Sequence, residues 1–416
     1  MPTGIRTTKL FHPTLTGRWV ERQPLQHQLN QSLERECTLT LVSAPAGYGK
    51  STLVGAWLAK MALPAAWVSL DEMDDDPGRF MLYFIAAIQR TEPAFCTELF
   101  AALQAGQLPP VDMLVTILVN EMSGWAERRI LVLDDFQCIQ NSIILEILSH
   151  LLAQQARSLH LVIITREDPA LPLARLRVRG QLTEIRAADL RFSEAEAGRL
   201  LRDGLRLELS VGDVARLTER TEGWAAGLQL AGLSLQGREN PGAFVQTLSG
   251  SHRFILDYLT EEALKTQPPE VQDFLLKTSI LPRLSGDLCD AVTGRAGSAV
   301  LLERLLAANL FIIPLDDEGR WYRCHRLFAE LLQHRLKRDC SDRLYDLHQR
   351  ASQWQESQDM PVAAIEHALA GGDEARMAAL LEKFGWRLFG RFHQSVVCAA
   401  GAIDIVTQRA SGSTPN

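Results

Sequence analysis

The sequence predicts an α/β domain whose parallel sheet is covered by helices on both faces, followed by all-helical and winged-helix domains and the start of a helical-repeat region. Three observations carry this reading. Short apolar runs without polar alternation are separated by amphipathic stretches, the pattern of strands buried on both faces. A small-residue loop ending in Gly49-Lys50-Ser51 follows the first of these runs directly. The strand signal then fades after about Phe192, and only a short hairpin pattern returns.

The elements follow in order. Thr38–Ser43 reads as the first strand, Ala65–Leu70 as the second, Arg129–Asp134 as the third and Leu159–Thr165 as the fourth, with Leu182–Ile185 a weaker fifth. Helical patterns cover Phe80–Gln89, Val111–Glu127 and Ile143–Gln155. Ser193 with Glu196 three residues on is a capping-box start. Helical patterns continue from there to about Leu310. Leu310–Leu315 and Trp321–Cys324 flank the acidic, Gly-containing turn Asp316-Asp317-Glu318-Gly319, a hairpin signature after helices and hence a winged-helix pattern. From Arg343 the pattern is helix pairs, Leu344–Ser357, Pro361–Ala370 and Glu374–Phe384, with a break at Gly371-Gly372-Asp373. Arg391–Asn416 contains no Leu and ends in small polar residues, so a poorly ordered tail is expected. The expected division is 1–22, an N-terminal segment; 23–192, the α/β domain; 193–265, a small helical domain; 266–340, a winged helix; 341–390, the start of helical repeats; and 391–416, the tail.

Composition narrows the function classes. The 416 residues carry 43 basic and 50 acidic side chains, a net charge of -7, which argues against a surface built for nucleic acid. No apolar run reaches the length of a membrane span; Ala299–Leu315 is broken by Glu303 and Arg304. The N-terminus lacks the apolar stretch of a secretory signal. Seven scattered cysteines without a CxxC pair fit thiols in a reducing cytoplasm better than zinc ribbons or disulfides.

Ala44-Pro45-Ala46-Gly47-Tyr48-Gly49-Lys50-Ser51 fits the Walker A pattern with Ala in the first glycine position, and a P-loop NTPase domain follows from it. The small residues let backbone amides turn toward phosphate oxygens, Lys50 supplies positive charge and Ser51 a hydroxyl for Mg²⁺. Thr52 is expected to begin the helix whose N-terminus faces the phosphates. Asp134 and Asp135 end the third strand, at the ligand edge of a parallel sheet. There Asp134 reads as the Mg²⁺ acid and Asp135 as the group that polarises water. Arg166, after Thr165 at the next strand end, reads equally as a γ-phosphate sensor or a surface arginine. Asp71, Asp74, Asp75 and Asp76 read as a solvated loop ending in a helix cap, since the EF-hand spacing is absent. His325 stands alone in its segment and reads as structural, and Gly223-Trp224-Ala225-Ala226-Gly227-Leu228 reads as tight helix packing.

The order of these motifs resembles the N-terminal part of the MalT-like regulators of the LuxR type, members of the STAND class of signal-transducing ATPases. The matching pieces are Thr8-Lys9-Leu10 with Pro13, Ala44–Thr52, Trp67–Asp71 with Asp76-Pro77 and Ile130–Asp135. They continue through Thr165-Arg166, Leu176–Arg179, Thr221–Trp224 and Tyr322–Phe328. The resemblance implies an ATP/ADP switch with Mg²⁺: ADP holds a closed monomer, and an inducer (a small molecule or a regulatory protein) together with ATP opens it to self-association and DNA binding. It implies slow hydrolysis that resets the switch, with Asp134, Asp135 and Arg166 as catalytic and sensing groups. It also implies that His325 approaches the ADP β-phosphate and that Thr8–Arg22 closes over the adenine, with Val20 and Arg22 in contact. The family's DNA-binding helix-turn-helix has no counterpart in these residues, so a truncated or partial regulator without specific DNA binding of its own is expected. Two other classes compete: a conventional P-loop ATPase or kinase, and a non-catalytic protein-interaction module.

Overall fold

The computed structural model describes residues 5–12, 19–154, 158–236, 242, 245–246 and 252–389. The expected tail at 391–416 and part of the N-terminal segment lie outside the described residues. Strands β1 (Leu39–Ser43), β2 (Ala65–Ser69), β3 (Arg129–Asp134), β4 (Leu159–Thr165) and β5 (Leu182–Arg186) form a parallel sheet in the order β2-β3-β4-β1-β5. Every residue of β1 and β4 is buried, as central strands covered on both faces must be.

Helices α1 (Gln23–Glu34), α2 (Lys50–Leu58), α3 (Pro77–Gln89), α4 (Thr97–Gln104), α5 (Val111–Ser123), α6 (Ser142–Ala153) and α7 (Leu173–Val178) accompany the sheet. Leu39 and Leu41, Leu131 and Leu133, and Leu161 and Ile163 alternate onto one face and pack with Phe80, Phe84, Leu118 and Ile147 of α3, α5 and α6. On the other face Thr40 donates to Ser32 of α1 at 3.2 Å, and Trp57 of α2 donates to Asn30 of α1 at 2.7 Å.

The structure departs from the sequence reading at several places, three of which bear on the site and its surroundings. Helix α5 stops at Ser123 rather than Glu127, because Gly124 serves as its C-cap. Helix α2 begins at Lys50 rather than Thr52, because Gly49 is already the N-cap, in the left-handed region. The acidic loop is not simply solvated. Asp76 does cap α3, accepting from the Arg79 N–H at 2.8 Å ahead of Pro77 at the first helical turn. Asp74, however, is fully buried, paired with Lys9 and with Arg79 Nε at 2.8 Å. A buried carboxylate needs such partners to remain charged.

The chain divides into two compact units. One comprises Met1–Gln267, Glu303–Ile313 and His325–Leu331, and the other Pro268–Leu302, Pro314–Cys324 and Leu332–Asn416. The first adds α8 (Ala187–Leu190), α9 (Glu194–Gly198), a π-helical turn at Arg199–Gly204, α10 (Val211–Thr221), α11 (Ala225–Leu235) and α12 (Arg253–Leu259) to the sheet. Ser193 and Glu196 form the expected capping box. The second unit contains α13 (Pro269–Thr278) and α14 (Gly286–Thr293). The segments that follow hold α15 (Ser298–Ala307), the two-stranded sheet of β6 (Ile312–Pro314) and β7 (Tyr322–Cys324), and α16 (Arg326–Asp339). The second unit then runs on through α17 (Leu344–Ser357), α18 (Pro361–Ala370) and α19 (Glu374–Phe389), where Ala364, Ala368, Met377, Leu380 and Phe384 form a small core. Among the described residues no helix is long and apolar enough to cross a membrane.

Candidate functional site: the loop after β1

Three strand ends meet at the carboxyl edge of the sheet. β1 leads into Ala44–Gly49, β3 ends at Asp134, and β4 ends at Thr165, whose register partner on β1 is Ser43. This is the edge at which open parallel sheets bind ligands. Gly47 and Gly49 both adopt the left-handed region, with φ of 76° and 78°. A Cβ at Gly47 would stand 2.6 Å from Ala226 Cβ and 2.9 Å from the Tyr258 hydroxyl, so glycine is required there twice over. A Cβ at Gly49 would meet no atom within 4 Å, leaving open space above the loop.

Lys50 is buried and donates to the carbonyls of Ala44 at 2.8 Å and Pro45 at 3.0 Å. Burial, with the charge of Arg166 added, lowers its ammonium to a pKa of about 8. Ser51 Oγ donates to Asp134 Oδ1 at 2.9 Å, and the Asp135 N–H donates to the same oxygen at 3.0 Å. Burial and the neighbouring Asp135 push Asp134 up to about 6 against those two hydrogen bonds. A hydroxyl and a carboxylate side by side are the hard oxygen donors that Mg²⁺ takes, and the loop, the buried lysine and this pair fit a nucleotide with its metal. Among the described residues no group of three His, Cys, Asp or Glu side chains is placed to hold a metal by itself.

The other expected residues fall around this centre. Asp135 sits in the left-handed region at φ 57° and accepts from Gln137 Nε2 at 2.9 Å. Gln137 also accepts from the Arg166 N–H at 3.0 Å, so one amide ties the end of β3 to the end of β4. Arg166 pairs with Glu262 at 3.0 Å. A cavity of about 250 Å³ adjoins the loop, lined among others by Trp19, Val20, Arg22, Tyr48, Thr52 and Phe192. Val20 and Arg22 therefore stand together with the loop, but the Arg22 guanidinium is also tied to the protein, by Glu196 and the carbonyls of Asp189, Leu190 and Arg191. His325 is buried outside this lining. Its Nε2 lies 3.2 Å from the Thr221 carbonyl and its ring meets those of Trp224 and Phe311 edge-on.

Sequence reasoning missed the part played by Trp224. Its indole Nε1 donates to the Ala46 carbonyl at 3.0 Å, and the Ala226 N–H donates to the Gly47 carbonyl at 2.9 Å. The small residues after Trp224 were a packing signal, and Gly227 does accept the indole closely. Nothing in their spacing points to the loop 178 positions earlier. Gln137 carried no signal at all.

Residues 260–344 match the MalT winged helix domain family. Over 388 residues, 92% of this chain and 42% of the other, the sequence is 34% identical to the HTH-type transcriptional regulator MalT of Cronobacter sakazakii. Over 387 residues, 92% of this chain and 35% of the other, it is 34% identical to the serine/threonine-protein kinase PknK of Mycobacterium tuberculosis. The chain thus spans about two fifths of the length of these relatives or less. Among solved structures, the Walker-type ATPase PABY2304 of Pyrococcus abyssi superposes with a TM-score of 0.54 at 19% identity, covering 76% of this chain and 96% of that one, a likeness of fold. Along its matched length the chain is MalT-like, with a P-loop NTPase fold that continues into a MalT-type winged-helix domain.

Proposed function

We propose that this chain is the ATP/ADP-binding switch of a transcription regulator, with Mg²⁺ held by Ser51 and Asp134. The observation that carries the reading is the buried Lys50 beside the Ser51–Asp134 hydrogen bond, at the carboxyl edge of a parallel sheet. Lys50 and the loop amides bind the phosphates, and the cavity lined by Val20 and Arg22 takes the adenine. Asp135, positioned by Gln137, and Arg166 serve slow hydrolysis; the nucleotide supplies the γ-phosphate whose loss resets the switch. His325 favours the ADP-bound form through Thr221 rather than by touching the reacting atoms. The switch answers an inducer and leads to self-association in the ATP form. A relative named as a regulator and another named as a kinase share this stretch, which suits a control module whose output lies elsewhere in each protein.

Calorimetry with ADP and Mg²⁺ tests the site. Lys50→Ala is expected to weaken ADP and ATP binding at least about tenfold, since charge-assisted contacts contribute about 1.5–3 kcal/mol each. An unchanged affinity rejects the site. Steady-state hydrolysis separates the classes: a kinase or motor turns over at about 1 s⁻¹ or faster, and the switch is expected far below that.

A further inference from the structure

We propose that Trp224 is a positioning residue for the bound phosphates, acting through the peptide groups of the loop after β1; the proposal rests on the nucleotide reading of that loop. The argument is one of peptide geometry. No peptide bond among the described residues is cis, and in a planar trans peptide the C=O and the following N–H point in opposite directions. Trp224 Nε1 holds the Ala46 carbonyl at 3.0 Å, so the Gly47 N–H is turned away from Trp224. The Ala226 N–H holds the Gly47 carbonyl at 2.9 Å, so the Tyr48 N–H is turned away from Ala226. Two consecutive amides that a phosphate-cradling loop must aim at its ligand are thus set in direction by residues 224 and 226.

The holder is itself fixed. Trp224 is fully buried, and its ring packs against Tyr258, Phe311 and His325 at centroid distances of 5.6, 5.5 and 6.1 Å. The preceding Gly223, at φ 69°, lies so close to Phe192 that a Cβ would stand 2.6 Å from its carbonyl, and the Gly223 carbonyl accepts from the Phe192 N–H at 2.8 Å. Fixed donors on the outer side of the loop spare the ligand the work of ordering it, which is how pre-organisation raises affinity. A tryptophan that merely filled space would influence the whole cavity alike. One that aims amides influences ligands that carry phosphate.

The test compares ADP with adenosine by competition calorimetry on the full chain. Trp224→Phe removes the donor and keeps an aromatic ring, and ADP affinity is expected to fall about three- to tenfold, the range of one neutral hydrogen bond, with adenosine affinity unchanged. Replacement of Trp224 by β-(3-benzothienyl)alanine keeps the indole outline and exchanges N–H for sulfur. It is expected to give the same selective loss, and it covers the case in which phenylalanine loosens the packing. Equal losses for ADP and adenosine, or an unchanged ADP affinity in the sulfur isostere, overturn the proposal. Lys50→Ala separates the levels. Unchanged ADP binding in that variant removes the site and the proposal together, whereas a loss there with none in the isostere removes Trp224 alone.

Discussion

Lys50 and Arg22 are both buried cations, and the protein surrounds them in opposite ways. Arg22 Nε donates to Glu196 at 2.8 Å, its two terminal nitrogens reach three carbonyls at 2.8–3.1 Å, and its Cζ lies 4.7 Å from the centre of the Phe192 ring. Lys50 is given two backbone carbonyls, and its ammonium falls to a pKa of about 8. A guanidinium with a carboxylate and three carbonyls fixes a chain segment. An ammonium whose direct contacts are carbonyls, with Asp134 and Asp135 acting on it only through their charge, is tolerated at a cost, and such groups gather where an anionic ligand supplies further charge. The difference separates a fixed anchor from the lysine proposed above to bind phosphate.

Removing the carboxylate from the anchor is expected to have the largest effect. Glu196→Ala leaves the Arg22 charge buried with carbonyls alone, and a loss of about 3–4 kcal/mol is expected. Urea denaturation of the purified variant measures it; a loss under about 1 kcal/mol would put Arg22 in the same class as Lys50. The binding group should respond with the opposite sign. Lys50→Met removes a charge that the fold desolvates, and stability without nucleotide is expected to rise by about 2 kcal/mol while ADP binding is lost. The sign carries into pH. Between pH 8 and 10.5 the unfolded chain keeps a proton at Lys50 that the folded chain releases, so the native protein should gain stability relative to Lys50→Met over that window. Parallel unfolding curves for the two across it would refute the assignment. The smallest effect tests a half-exposed anchor. Glu184 is held at about 2 by its hydrogen bond to Arg177 and then by Arg186. Its stabilisation is complete above 4.5 and is lost as the pH falls toward 2. Glu184→Gln is expected to remove about 1 kcal/mol of that acid dependence, discounted for solvent screening.

The parts of this arrangement that lie within one segment were legible. The runs at 39–43, 129–134 and 159–165 carry both their burial and the polar residues at their ends, so the sheet and its ligand edge follow from composition and length. Gly49, Lys50 and Ser51 carry the Walker A spacing, and the structure sets them at the ligand edge of the sheet. What was hidden depends on contacts between distant segments. Asp74 looks like its acidic neighbours, and its burial between Arg79 and Lys9, the latter 65 positions earlier, comes only with the fold. Trp224 looks like a core aromatic, and only its reach of 178 positions to Ala46 gives it a second use. Arg22 was read as an adenine contact, and its four protein acceptors show that an arginine beside a cavity can also be a clasp.

The unit that contains the loop is assembled from three stretches of chain, the last two far downstream of the sheet. Asn309 donates to Ser43 at the end of β1 at 3.0 Å, the Ala307 carbonyl accepts from the Asp168 N–H, and His325 reaches Thr221. A gene cut at Gln267 would discard all three ties and leave the Phe311 side of Trp224 exposed. Producing this unit alone therefore calls for a boundary no earlier than Leu331, and a nucleotide-free or insoluble shorter product would say nothing about the loop itself.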